Sequence, residues 1–285
     1  MAAFYKSYKP RTFDPQSLEP FRVSRSKIDF FMDCPRCYYM EARFGCKRPS
    51  MASFTLNIAV DALLKKEFDA HRAVGTKHPL QEQYGIDAVP FRHEQLDQWR
   101  ENFVGVQTLH APTNLLVFGA VDDVWMTPTG ELLVVDYKAT SKDAPVVQLE
   151  DTKWHDQYRR QMEIYQWLLR QNGFSVSNTG YFVYVNAKKD LPAFHARLEF
   201  DVALIAYTGS SDWVDGQLER MKACLLGELP ALSPDCEYCN YRVGTQAVEV
   251  KQVTPPAAFV PVLEVPVKKV KKAKTGAGEQ GQTLF

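Results

Sequence analysis

Two carboxylates and a lysine close a pair of apolar runs in the middle of this chain. The first run ends in Gly119-Ala120-Val121-Asp122-Asp123, and the second reads Leu132-Leu133-Val134-Val135-Asp136-Tyr137-Lys138. Strand side chains alternate faces, so Asp136 and Lys138 point one way and Tyr137 the other. Leu132 and Val134 share the face of Asp136, which puts that acid at the rim of a buried surface. A carboxylate there is costly unless it is paired or bound to a cation. Asp122 and Asp136 are hard oxygen donors of the kind Mg²⁺ or Mn²⁺ takes alongside water and phosphate. The backbone carbonyl of Tyr137, between the two active positions, is a further donor. Lys138 is placed to orient or activate an attacking water and to offset charge on a phosphodiester.

An Asp-x-Lys strand by itself is more often a solvated surface pair of little energetic value. Its setting argues otherwise. Both runs end in acid at matched positions of a hairpin, joined by the tight-turn sequence Thr127-Pro128-Thr129-Gly130. The strands are expected over Val117–Met126 and Glu131–Thr140. An amphipathic helix follows over Gln157–Gln171, stopped by Asn172-Gly173. On it Gln161 and Tyr165 are four apart and share a face, with Arg159 and Arg160 just before them.

The remaining elements must hold this set in place. A helix is expected from Ser24 or Ser26 through Ile28, Phe31 and Met32 to Cys34, with Pro35 ending or kinking it. A longer helix over Phe54–Arg72 carries Ile58, Leu63, Leu64 and Phe68 at helical spacing. Another is expected over Glu94–Val106. Strands at Thr179–Asn186 and Ala196–Phe200 and a helix at Asp212–Leu226 complete an α/β core with a mixed central sheet flanked by helices. Three segments emerge: a flexible arm at 1–23, a core domain at 24–245 and a disordered basic tail at 246–285.

The motifs Gly119-x-x-Asp122, Asp136-Tyr137-Lys138 and Gln161-x-x-x-Tyr165 resemble, in this order, those of the RecB-type branch of the PD-(D/E)XK nuclease superfamily. The resemblance covers about residues 24–243. It implies a restriction-endonuclease-like core and metal-dependent hydrolysis of DNA phosphodiesters, in repair, replication or defence. It further implies Asp122 and Asp136 as metal ligands, Lys138 as the catalytic lysine, and Gln161 and Tyr165 as active-site or DNA-contacting residues. The branch usually places a metal-binding histidine, preceded by a glycine, on an upstream helix. The matching helix here reads Asn57-Ile58-Ala59-Val60-Asp61, so Asp61 stands at the histidine position and Asn57 replaces the glycine. A carboxylate there still suits a hard cation. His71, about three turns on, is a weaker candidate.

Six cysteines include two matched pairs, Cys34-Pro35-Arg36-Cys37 and Cys236-Glu237-Tyr238-Cys239, which bracket the core. Such pairs suit a tetrahedral thiolate site that closes a long loop of chain. AddB-like and CRISPR-adaptation nucleases of the RecB type carry a [4Fe–4S] cluster held by one cysteine before the core and three after it. Cys34, Cys236 and Cys239 resemble three of these. The fourth would fall near Thr245, and Cys37 would replace it. A two-plus-two set satisfies Zn²⁺ equally, and both ions remain open at this point. Cys224 reads as packing, and Cys46 has no evident partner.

The 285 residues are 45% hydrophobic and 24% charged, with 34 basic and 34 acidic side chains. That balance argues neither for nor against nucleic acid; a DNA binder would need a local basic cleft. No stretch approaches the roughly 20 apolar residues that span a bilayer, and no signal-peptide core is visible. A cytoplasmic protein is expected, which favours thiols and metal ligands over disulfides. The tail carries a lysine cluster at 268–274 and ends in Gln280-Gly281-Gln282-Thr283-Leu284-Phe285. That ending resembles the peptides by which bacterial DNA enzymes dock on the sliding clamp. Two other readings are a DNA-binding module of the same fold without chemistry and a zinc-stapled interaction protein.

Overall fold

A computed structural model describes residues 11–49 and 54–251. The lysine cluster and the terminal Leu284-Phe285 peptide lie outside the described residues.

The chain opens with β1 (Phe21–Ser24), α1 (Arg25–Asp33) and α2 (Pro35–Phe44). Pro35 therefore divides two helices and occupies the first turn of the second, where its missing N–H costs nothing. After α3 (Thr55–Val74) come α4 (Pro79–Gln83), β2 (Val89–Pro90) and α5 (Leu96–Trp99). Then follow β3 (Val106–His110), β4 (Leu115–Gly119), β5 (Asp123–Met126) and β6 (Leu132–Thr140). The rest is α6 (Lys153–Gln171), β7 (Thr179–Ala187), β8 (Phe200–Thr208), α7 (Trp213–Leu226) and α8 (Glu237–Lys251). Described residues up to Arg242 belong to one compact unit. Among the described residues no helix is long and apolar enough to cross a membrane.

The sheet that bears the chemistry has the order β2-β5-β6-β7-β8, with β6 and β7 parallel and the other pairs antiparallel. This is the mixed sheet expected from the sequence. A second sheet, β1-β4-β3, stands beside it. One core fills the space between α1, α6, α7 and the sheets, around Ile28, Met162, Leu168 and Leu218. A second core on the other face of the large sheet gathers Phe68, Trp125, Tyr137 and Val183 under α3.

Several expectations are corrected. The strand expected over Val117–Met126 is two strands in different sheets, divided at Ala120–Asp122. The helix expected over Glu94–Val106 ends at Trp99, and Val106 begins β3. The strand expected at Ala196–Phe200 instead starts at Phe200, because His195 and Ala196 take positive φ and turn the chain. On α3, Ile58 and Leu63 are exposed rather than core, and Phe68 alone of its expected apolar positions is fully buried. Some of the segment read as a loose arm is pinned. Phe13 is buried, its amide bonds the Ala42 carbonyl at 2.7 Å, and its ring meets Phe21 edge-on. Helix α8 continues past Thr245 to Lys251, into the stretch that composition reads as tail.

Candidate active site and cysteine centre

Register brings the two acids together. Asp123 pairs with Val135 in the antiparallel β5–β6 ladder, so Asp122 falls opposite Asp136. Asp122 sits on the bend where the chain leaves one sheet for the other, and its Oδ2 accepts from the Tyr137 amide at 2.9 Å. Asp136 is fully buried on β6. Its Oδ1 accepts from Gln161 Nε2 at 2.7 Å; its Oδ2 ion-pairs Lys138 but meets no hydrogen-bond geometry. Burial pushes its carboxyl up to about 7, Lys138 opposing the shift and the Asp122 charge adding to it.

Lys138 Nζ is also held by Gln161 Oε1 at 3.3 Å and lies over the Tyr158 ring. The Gln161 amide therefore reads acid and lysine at once, and its Nε2 is also 3.1 Å from the Tyr165 hydroxyl. Thr152 caps α6 by accepting from the His155 amide, which fixes the helix that delivers these groups.

Tyr165 explains the glycine of the upstream motif. A Cβ at Gly119 would lie 2.7 Å from Tyr165 Cε1 and 3.3 Å from Arg25 Cβ. Only a residue without a side chain lets the ring approach β4 this closely. Gly119→Ala should destabilise the protein by about 1–3 kcal/mol through overpacking. In a double-mutant cycle measured by denaturant unfolding, Tyr165→Ala should relieve some of that cost. Strict additivity would mean that the ring is not the obstacle.

Asp61 projects from α3 into the same region. Lys65, one turn along, binds Asp61 Oδ2 at 2.8 Å and Asp122 Oδ1 at 3.5 Å, so its ammonium stands between the two carboxylates. Burial and the Asp122 charge both raise the Asp61 carboxyl above its ordinary value. Asp61, Lys138 and Gln161 line a cavity of about 360 Å³ with Arg25, Asn57 and Trp154. His71 bonds Thr76 and is not among the lining residues.

Beneath the hairpin lies a cluster that sequence reasoning missed. Asp123 is fully buried and accepts from Arg72, from Arg100 Nη2 at 3.2 Å, from the Tyr137 hydroxyl at 2.8 Å and from the Val124 amide at 2.8 Å. Arg100 Nε also holds the Asp122 carbonyl at 3.0 Å. The adjacent Asp122-Asp123 pair was the available signal, since two neighbouring carboxylates are seldom directed at the same partners.

The four paired cysteines meet in one buried cluster against Phe30 of α1 and Tyr238 of α8. Cys34, Cys37, Cys236 and Cys239 are all buried, with their sulfurs within 4.8 Å of one another. Cys34 caps α2 and Cys37 lies on its first turn; Cys236 precedes α8 and Cys239 lies on that helix's first turn. Each pair thus sits at a helix N-terminus, whose partial positive charge favours thiolate. Cys224 is half-buried and packs against the main core, while Cys46 is exposed.

A mixed sheet with an acid-bearing hairpin, a buried Asp-x-Lys strand and a flanking glutamine–tyrosine helix describes a nuclease fold. The sequence profile of the PD-(D/E)XK nuclease superfamily matches residues 22–243, and the chain belongs to that superfamily. No curated protein matches it in sequence. Among solved structures, SSO0001 is similar over 80% of this chain and 86% of that one, at 16% identity and a TM-score of 0.38. Membership implies a divalent metal, and the residues fit one. The Lys138 ammonium against Asp136 Oδ2 and the Lys65 ammonium between Asp61 and Asp122 mark where the three acids draw positive charge.

Proposed function

We propose that the chain is a Mg²⁺- or Mn²⁺-dependent DNA nuclease of the RecB-type branch. The observation that carries this reading is the grouping of Asp61, Lys138 and Gln161 around one cavity, with Asp136 and Asp122 bonded directly behind them. Asp61, Asp122 and Asp136 would hold the metal, with the Tyr137 carbonyl as a further donor. When bound, a divalent ion polarises the phosphate and lowers the pKa of a water. Lys138 offsets charge at the scissile phosphate and orients the attacking water. Gln161 keeps both Asp136 and Lys138 in their rotamers, and Tyr165 fixes Gln161.

An adjoining hollow of about 610 Å³ shares Asn57, Val60, Ala139, Trp154 and Tyr158 with this cavity. Its exposed Trp154 offers a face on which a base can stack, an interaction that tolerates any sequence. The cysteine centre, as a closed structural site, would join the segments before and after the core.

The test is cleavage of end-labelled single- and double-stranded DNA with Mg²⁺, Mn²⁺ or EDTA. Cleavage should require the metal, and Lys138→Ala should slow it by about 10²–10⁴-fold while DNA binding persists. Binding without cleavage by the wild-type chain would point to a module that keeps the fold without the chemistry. Wild-type rates in Lys138→Ala would refute the assigned site.

A further inference from the structure

We infer that the cysteine centre holds a single tetrahedral Zn²⁺, with the Arg48 guanidinium as its charge partner, and that it does not hold a [4Fe–4S] cluster. The sulfur spacing carries the inference. In a regular tetrahedron with Zn–S bonds of about 2.3 Å, ligand sulfurs stand about 3.8 Å apart. Here Cys34 and Cys239 are 3.7 Å apart, Cys37 and Cys236 are 3.7 Å apart, and Cys37 and Cys239 are 3.9 Å apart. All four fall within 4.8 Å of each other. In a [4Fe–4S] cluster each thiolate binds a different iron, at separate corners of an iron–sulfide cube. The thiolates must then surround the cube. Sulfurs already touching across the centre leave it no room.

The way the backbone holds the cysteines supports the same ion. Cys34 Sγ accepts from the Cys37 amide at 3.4 Å, so one turn of α2 presents both sulfurs to a single point. Cys236 and Cys239 have the same spacing at the start of α8. The sulfurs are buried, so opening the quartet to admit a larger core would require the ends of α2 and α8 to move away from each other.

Four thiolates around one Zn²⁺ leave a net charge of two negatives, which a buried site must offset. Arg48 does some of this. Its Nη2 donates to Cys236 Sγ at 3.1 Å, and the guanidinium lies 4.5 Å from the ring centres of both Phe30 and Tyr238. Asp33 Oδ2 fixes its other end at 2.8 Å. Asp33 Oδ1 also binds Lys153, the first residue of α6, at 2.8 Å. The centre is thereby tied to the helix that carries Gln161 and Tyr165.

This inference stands independently of the nuclease reading. The full chain should be expressed in iron- and zinc-replete cells, purified without oxygen and assayed for metals and acid-labile sulfide. One zinc per chain is expected, with no labile sulfide and no visible iron charge-transfer absorption. Iron with labile sulfide would overturn the inference, and so would iron without sulfide. Arg48→Met should speed zinc release to a chromogenic chelator by about 10-fold, in line with loss of a ligand's hydrogen-bond partner. An unchanged release rate from folded protein would remove Arg48 from the assignment.

Discussion

Asp136→Asn should abolish metal-dependent cleavage, by at least about 10³-fold, while making the protein more stable in EDTA at pH 8. The two effects share one cause. Asp136 is fully buried, only one of its oxygens has a hydrogen bond, and the cost of burying its charge outweighs the ion pair that Lys138 makes with the other oxygen. Burial holds its carboxyl near 7, above the ordinary 3.8. A raised carboxyl favours the protonated folded form. The stability it contributes is therefore present below about pH 4 and lost as pH rises through about 7. At pH 8 the ionised group costs on the order of 2 kcal/mol, since each pKa unit is worth about 1.4 kcal/mol and relaxation returns some of it. Asparagine keeps the shape and can still accept from Gln161. Lys138 loses its ion pair with Asp136 but retains Gln161 Oε1 and the Tyr158 ring.

The measurement is thermal unfolding between pH 4 and 8, with EDTA or Mn²⁺. Wild type minus variant should show a stability difference that turns against wild type as pH rises through about 7. Mn²⁺ should stabilise the wild type, as any ligand of the folded state does, and leave the variant unmoved. A variant less stable than wild type in EDTA at pH 8 would show that Asp136 is adequately paired as it stands. Cleavage by the variant at wild-type rate would remove the residue from the chemistry.

What could be read from sequence was whatever periodicity and local spacing control. The β5–β6 hairpin was legible because Thr127–Gly130 sets the turn, and a set turn fixes the register that puts Asp122 opposite Asp136. The one-face placement of Gln161 and Tyr165 followed from helix geometry alone. The sheet change at Ala120–Asp122 was not legible, because apolar alternation looks the same in either sheet. Nor was the early end of α5. Gly105 takes φ 62°, and a Cβ there would fall 2.3 Å from the Gly119 carbonyl oxygen, an encounter between segments far apart in sequence. The exposed face of α3 misled for a related reason: Ile58 and Leu63 have helical spacing, but the sheet lies under Phe68 and Leu64 instead. The grouping of the cysteine pairs was foreseen from their spacing, whereas the sulfur distances needed coordinates.

Asp123→Ala should cost about 3–5 kcal/mol, the penalty of orphaning buried charge, and so lower Tm by about 10 °C or more for a chain of this size. The contrast with its neighbour makes the result informative. Asp122 and Asp123 have the same side chain and adjacent positions, but Asp122 sits on the bend before β5, partly open, whereas Asp123 begins the strand and is buried. Asp123 is fully buried and anchors Arg72, Arg100 and the Tyr137 hydroxyl. Burial pushes its carboxyl above the ordinary range, while Arg72 and Arg100 pull it down. Removing the carboxylate leaves Asp69 alone to face both guanidinium groups. The expected loss comes from those stranded cations, not from any large net attraction in the intact cluster. Asp122 is partly open, and its partners are an amide and a lysine. Asp122→Ala should therefore change stability in EDTA by less than about 1 kcal/mol, yet abolish the stabilisation by Mn²⁺. Asp123→Ala should also slow the proposed cleavage, because Arg100 holds the Asp122 carbonyl as well as Asp123. Activity alone cannot separate the two acids. Denaturant unfolding with and without Mn²⁺ can. Equal destabilisation of the two variants in EDTA would mean that the acids share one duty.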